Sequence, residues 1–302
     1  MKSFLENTWK HRAHVVMALP AFLILFFIMY VPMAGLVMAF KNFDFSKGIW
    51  GSPWCGLDNF KFLLASKNTF INMTRNTLLY YLLFTALGTF LNVVLAIAID
   101  QFLFKKMAKT MQTIMIIPVF ISYAAVQFIV YAFISTDTGI INNAMGANIR
   151  FYSTASWWPL ILTIVKMWKD VGYGSVLYMS VLAGIDTELY EAAQIDGANR
   201  FQRLIYITLP ALANTIITVF ILNLAKVMNL FESVFVTASD SVMKVAQVLQ
   251  TYIYNKTFGA SGASNSDYGY STAVGLFKSF VGMVLVLGCN WASKKVRGRG
   301  IV

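Results

Sequence analysis

The sequence predicts an all-α integral membrane protein with six transmembrane helices and a polar helix-turn-helix loop between the fourth and fifth. Its 302 residues are 58% hydrophobic and 12% charged, a composition that would leave large apolar patches bare on a soluble fold. Six runs reach the roughly 20 apolar residues needed to cross the hydrocarbon, at 14–40, 76–99, 111–134, 157–183, 211–235 and 271–293. Most lysines and arginines flank these runs, so the formal net charge of +11 belongs to membrane flanks and not to a nucleic-acid-binding face.

Residues 1–13 form a basic N-terminal segment, and 14–293 the transmembrane domain. His11 and His14 sit beside Lys10 and Arg12 and read as part of a solvated flank, not as an acid-base or metal pair. The first run is too long for a signal-peptide core and no A-x-A pattern follows it, so it is expected to be retained. Trp50, Trp54 and Phe60 lie in the loop after it; stacking on sugar rings and anchoring at the membrane interface both fit them. The fourth run carries Lys166, Lys169 and Asp170. Its glycine pair, Gly172 and Gly174, reads as a helix-packing position. Residues 294–302 are a basic tail. Cys55 and Cys289 fall in different predicted compartments, which leaves no support for a disulfide or a zinc site.

Orientation follows from the basic residues. With the N-terminus inside, Lys2, Lys10, Arg12, Lys105, Lys106, Lys109, Arg200, Arg203, Lys294, Lys295, Arg297 and Arg299 are cytoplasmic. Lys41, Lys47, Lys61, Lys67, Arg75, Arg150, Lys244 and Lys256 then lie outside, spread over longer loops. The higher density places both termini, and the 184–210 loop, in the cytoplasm.

That loop contains "ELYEAAQIDGANRFQRLIYITLP", Glu188 to Pro210. Asp186 and Thr187 are good N-caps, with Glu188 and Glu191 expected in the first turn, where the macrodipole favours negative charge. Leu189, Ala192 and Ala193 share a face on which the alanines allow close approach of another backbone. Gly197 supplies the positive φ that ends this helix, and Asn199 with Gln202 forms a capping-box pattern for a second one. Pro210 is expected at the mouth of the fifth span, where a missing N–H does no harm.

Glu191-Ala192-Ala193, then Gly197, then Ile207, Leu209 and Pro210 resemble the EAA loop of the membrane (permease) subunits of binding-protein-dependent type I ABC importers, with every signature position matched. The likeness runs from about the first span to the C-terminus. The segment "FKNFDFSKGIWGSPWCGLDNF" is similar to oligosaccharide and polysaccharide permeases of the maltose-transporter type. The resemblance implies that the loop is a coupling helix docked in a cytoplasmic ATPase, with Glu191, Ala192, Ala193 and Gly197 in that role. It implies a bacterial plasma-membrane location and four kinds of partner: a second homologous permease, two ATPase subunits, an extracellular solute-binding protein, and lipid. ATP and Mg are expected on the ATPase subunits. No G-x-x-x-x-G-K-[ST] occurs in the chain, nor any catalytic constellation, so the chain is expected to be neither an enzyme nor a cofactor carrier.

Charges inside apolar runs are expensive, about 2.5–3.5 kcal/mol each at a helix centre, and mark cavities or internal pairs. The substrate-path candidates are Asn223, Lys226, Asn229 and Glu232 in the fifth run, Lys166 in the fourth and Lys278 in the sixth. Lys166 and Asp170 fit either an internal ion pair or the wall of a path. Asn223, Lys226, Asn229 and Glu232 offer both donors and acceptors to a hydroxyl-rich cargo. The four intramembrane lysines, Lys166, Lys169, Lys226 and Lys278, exceed the two acids, Asp170 and Glu232, which points to an acidic, uronate-containing oligosaccharide. A secondary transporter driven by an ion gradient is the alternative. It would carry internal repeats and a titratable relay, and no clear repeat is present.

Overall fold

The computed structural model describes residues 11–61, 67–224, 247–258 and 268–297, together with the single positions 226, 230, 234 and 243. Among the described residues every regular element is helical, and the one extended pairing is an isolated bridge between Lys41 and Trp54. The chain divides into two compact units, 1–65 with 256–277, and 66–255 with 278–302.

In the first unit, helix α1 runs from Arg12 to Phe40, passing from α through a π-turn at Phe26–Tyr30 to a 3-10 stretch at Val31–Phe40. Every residue from His11 to Tyr30 is exposed, so its apolar surface is left for lipid or another chain. The following loop is held by Lys41, whose ammonium donates to the Ile49 and Trp50 carbonyls at 3.0 and 2.8 Å and lies 5.5 Å from the Trp54 ring. Asn59 clamps the end of α1 by donating to the Ala39 and Lys41 carbonyls. Phe60 packs on Phe40, whereas Trp50 and Trp54 stay largely exposed.

The second unit is organised around two long helices, α2 (Lys67–Asp100) and α6 (Trp158–Leu182). The buried positions of α6 include Trp158, Leu162, Lys169, Gly172, Ser175, Tyr178 and Leu182, a stripe at helical period that faces its neighbours. Between the two come α3 (Lys105–Ile116), a 3-10 turn at Ile117–Phe120, α4 (Tyr123–Ile134) and the short α5 (Ile140–Met145). After α6 follow α7 (Thr187–Ile195), α8 (Arg200–Arg203) and α9 (Leu209–Leu224). Two more helices close the described chain, α10 (Leu249–Phe258) and α11 (Tyr268–Arg297).

The core of the second unit joins α2, α6 and α9 through Val93, Ala96, Tyr178, Leu182 and Leu212. A second cluster joins Tyr80, Phe84, Trp158, Leu162, Leu230, Val234 and Val248. Thr77, fully buried on α2, accepts from the Leu249 N–H at 2.9 Å, which caps the start of α10.

Among the described residues four helices are long and apolar enough to cross a membrane: Arg12–Phe40, Phe70–Asp100, Arg200–Leu224 and Tyr268–Lys295. The expected third span, 111–134, is not one straight helix. Lys105–Phe120 and Tyr123–Ile134 meet at 103°, because Pro118 lacks an N–H and Ser122 starts a new helix by accepting from the Ala125 N–H. The expected fifth span, 211–235, is helical to Leu224, and most of its remainder lies outside the described residues.

Pro210 is also placed differently from the expectation. It sits ten residues into a continuous helical run from Arg200 to Leu224 and not at a helix mouth. A π-turn at Leu204–Thr208, in which the Leu209 N–H reaches back to the Leu204 carbonyl, widens the helix where the proline ring would crowd the preceding turn.

Candidate functional site

Two places in the second unit concentrate polar chemistry, and α6 leads into both. One is the loop between α6 and α9. Asp186 caps α7 by accepting from the Glu188 N–H at 3.0 Å. Because the helix starts at Thr187, Glu188 is the acid of its first turn and Glu191 opens the second, one turn later than expected. The helix ends in a Schellman motif. Gly197 has φ 79° and donates to the Gln194 carbonyl at 3.2 Å, and the Ala198 N–H reaches the Ala193 carbonyl at 2.9 Å. The capping box at Asn199 is present in full, with 2.8 and 2.9 Å bonds exchanged with Gln202.

The faces of α7 divide clearly. Leu189, Glu191, Ala192 and Ile195 are exposed, Ile195 at 87%. Tyr190 and Ala193 are half-buried on the inward side, so Ala193 belongs more to the loop's interior than to the face shared by Leu189 and Ala192. Ile207 is half-buried, while Leu209 and Pro210 are exposed.

The other place is a cavity of about 870 Å³ between α2, α6 and α9, within the range of about 300–1,000 Å³ typical of small-ligand sites. Tyr81, Thr85, Thr89 and Asn92 line it from α2, Lys166, Asp170 and Tyr173 from α6, and Asn223 with Lys226 from the end of α9 and the turn after it. Gly174 makes this wall possible: a Cβ there would sit 2.4 Å from the Asn92 amide. Tyr81 donates to the Asn223 carbonyl, tying α2 to the last turn of α9. The buried Asn92 Oδ1 has no hydrogen-bond partner among the described residues.

Lys166 and Asp170 form an ion pair at 2.6 Å, and the Lys166 ammonium also donates to the Tyr123 hydroxyl at 3.3 Å. The pair is partly exposed and lies on the cavity wall, so the two readings open for it coexist. Lys226 is exposed on the wall, with its N–H on the Asn223 carbonyl. Lys278 is not a lining residue; its ammonium donates to Gln250 at 2.8 Å. Asn229 and Glu232 lie outside the described residues.

Lys169 has a role that charge counting alone does not reveal. It is 5% exposed and donates to the carbonyls of Pro118, Val119 and Ile121, with the Tyr123 ring 5.0 Å from its ammonium. The Val119 and Ile121 carbonyls are released where α3 breaks from α4, while the Pro118 carbonyl also accepts from the Ile121 N–H at 3.2 Å, and in a membrane interior released carbonyls need a donor. Gly172, one turn further on, lets α6 touch α3: a Cβ would fall 1.8 Å from the Met115 carbonyl oxygen. The available sequence signals were Pro118 and Ser122 facing a lysine in the next span, but their pairing is a tertiary fact.

Membrane-length helices, a walled polar cavity and a capped pair of short helices define a membrane transport subunit. The chain belongs to the family of binding-protein-dependent transport system inner membrane components, whose model matches residues 88–298. It is 35% identical to protein LplB of Bacillus subtilis (strain 168) over 95% of this chain and 90% of that one. It is 32% identical to the polygalacturonan/rhamnogalacturonan transport system permease protein YteP of the same organism, over 95% and 89%. Among solved structures it superposes on a chain of a bacterial ABC transporter involved in import of the acidic polysaccharide alginate, with TM-score 0.87, 31% identity and coverage of 98% and 99%. The same transporter type in complex with an alginate pentasaccharide-bound periplasmic protein matches with TM-score 0.87 and 30% identity. The chain is thus a permease subunit and not itself an enzyme, and an ion-gradient-driven transporter is set aside.

Proposed function

We propose that this permease imports oligosaccharides, acidic ones among them, as half of the membrane core of an ATP-driven complex. The observation that carries the cargo assignment is the charge on the cavity wall, where Lys166 and Lys226 stand against Asp170. Among the described residues the Lys166 ammonium is paired and that of Lys226 is not, so a carboxylate-bearing sugar completes the balance. Around them, Tyr81, Thr85, Thr89, Asn92 and Asn223 supply the mixed donors and acceptors that sugar hydroxyls need. The structural relative that handles the acidic polysaccharide alginate supports the same reading.

The chain crosses the membrane six times with both termini inside. The four apolar helices account for four crossings, the bent pair for one and α6 for one. α6 is 25 residues long but carries Lys166, Lys169 and Asp170, which lower its hydropathy without shortening it. The 184–210 loop then faces the cytoplasm, and the exposed Leu189, Glu191, Ala192 and Ile195 of α7 dock in an ATPase subunit that binds ATP and Mg. A second homologous permease, a second ATPase subunit and an extracellular solute-binding protein complete the complex in the bacterial plasma membrane.

Uptake by the whole complex in proteoliposomes tests this, with oligogalacturonides and neutral oligosaccharides of equal length as probes. Uptake that needs internal ATP, survives collapse of ion gradients and favours the oligogalacturonides is expected. Equal or better uptake of the neutral sugars would overturn the cargo assignment.

A further inference from the structure

We propose that Tyr190 and Thr208 form a latch that makes the α7–α8 loop one rigid lever on the base of α9. The proposal rests on the reading of this loop as the ATPase-coupling element. The Tyr190 hydroxyl lies 3.0 Å from Thr208 Oγ1. Thr208 is 3% exposed, and its own hydroxyl lies 3.4 Å from the Arg203 carbonyl. With the threonine proton directed there, Tyr190 is the donor to Thr208.

The need for a latch follows from the turn it spans. α7 and α8 are joined through Gly197, whose φ is positive and where a Cβ would meet no atom of the described residues within 4 Å, so the outer side of the turn is open. A short helix pushed on its exposed side rotates about such a point unless its other side is tied. Tyr190 provides the tie on the inward face, and the Arg203 guanidinium, 3.3 Å from the Gln194 amide oxygen, is a second strut to the same face. Both end on the segment that becomes α9, one at the head of the π-turn and one at its last residue. A displacement of α7 therefore arrives at α9, which carries Asn223 to the cavity wall, and is not absorbed at Gly197. Tyr190 and Thr208 are positioning residues in this scheme; neither belongs to the exposed docking face.

The test uses the whole transporter complex with Cys55 and Cys289 replaced by serine and a reporter, Ser180→Cys, on the cavity wall. The ATP-driven change in its labelling rate by a maleimide needs no cargo, and ATP hydrolysis is measured on the same samples. Tyr190→Phe removes one oxygen and Thr208→Val keeps the shape, so both are expected to assemble and to hydrolyse ATP. The ATP-driven labelling change should fall about fivefold in each, the factor that one neutral hydrogen bond supports, and no further in the double variant. Thr208→Ser, which restores the hydroxyl, should recover it. If both variants keep the full change while Glu191→Lys loses it, coupling stands and the latch is wrong. If Glu191→Lys also keeps the full change, the coupling reading fails and takes the latch with it.

Discussion

Replacing Lys169 by methionine should cost this protein much of its stability, although it removes a charge from the membrane interior. Methionine matches the lysine stem and leaves no large void. What it removes is the shared donor of the Pro118, Val119 and Ile121 carbonyls. The Pro118 carbonyl keeps the Ile121 N–H at 3.2 Å, so the Val119 and Ile121 carbonyls are the ones stranded; at the low end of about 1–3 kcal/mol each they sum to about 2 kcal/mol. In a chain of this size that corresponds to a fall in melting temperature on the order of 3–5 °C. The control is Lys166→Met. Its ion pair is 26% and 40% exposed at the two side chains, and solvent screening reduces its worth to less than about 1 kcal/mol. Thermal melting of the detergent-purified protein followed by tryptophan fluorescence reads both variants. A Lys169→Met variant that melts with the wild type, or above Lys166→Met, would refute the assignment of Lys169 to the helix break.

Four further outcomes are expected. Gly172→Ala should prevent stable accumulation because its Cβ meets the Met115 carbonyl at 1.8 Å, whereas Gly275→Ala, whose Cβ would meet no atom of the described residues within 4 Å, should accumulate normally; membrane immunoblots compare them. Gly197→Ala places a side chain at φ 79°, a strain of about 1–2 kcal/mol, and should lower ATP-dependent uptake without reducing membrane insertion; uptake equal to wild type would contradict it. A cysteine at Gln194 should resist an impermeant maleimide on intact cells and react after permeabilisation, and labelling of intact cells would reverse the topology. Lys226→Met should leave the melting temperature unchanged and reduce oligogalacturonide uptake more than neutral-sugar uptake; equal reductions would remove Lys226 from cargo recognition.

Features governed by neighbours along the chain were legible in the sequence. The Asp186 cap, the Gly197 turn and the Asn199–Gln202 box involve groups within a few residues of one another, and each formed as composition predicted. The Lys166–Asp170 pair was legible for the same reason, at i, i+4. Features set across long separations were not. The 103° break after Phe120 looks like an ordinary apolar run because the lysine that stabilises it is some fifty residues away. The π-turn before Pro210 was hidden by the assumption that proline marks a helix start. The inward turn of Ala193 followed from the Tyr190 side of α7 being drawn toward Thr208, a contact no local pattern encodes.

The same helix explains why these features coincide. α6 buries Lys169 and Gly172 against the α3–α4 break, presents Lys166 and Asp170 to the cavity, and ends four residues before α7. A helix with so many fixed contacts resists local bending and moves as one body about the Tyr178 and Leu182 contacts that it makes with α2 and α9. In the proposed coupling role of the 184–210 loop, a force on it reaches the cavity by two routes, along α6 and through the Thr208 end of α9. Lys166 is on the first route and Asn223 on the second, so relative motion of α6 and α9 changes the distance between the groups proposed to grip the sugar. Under the proposed function, release of cargo requires no new contact to form, only the separation of these two walls.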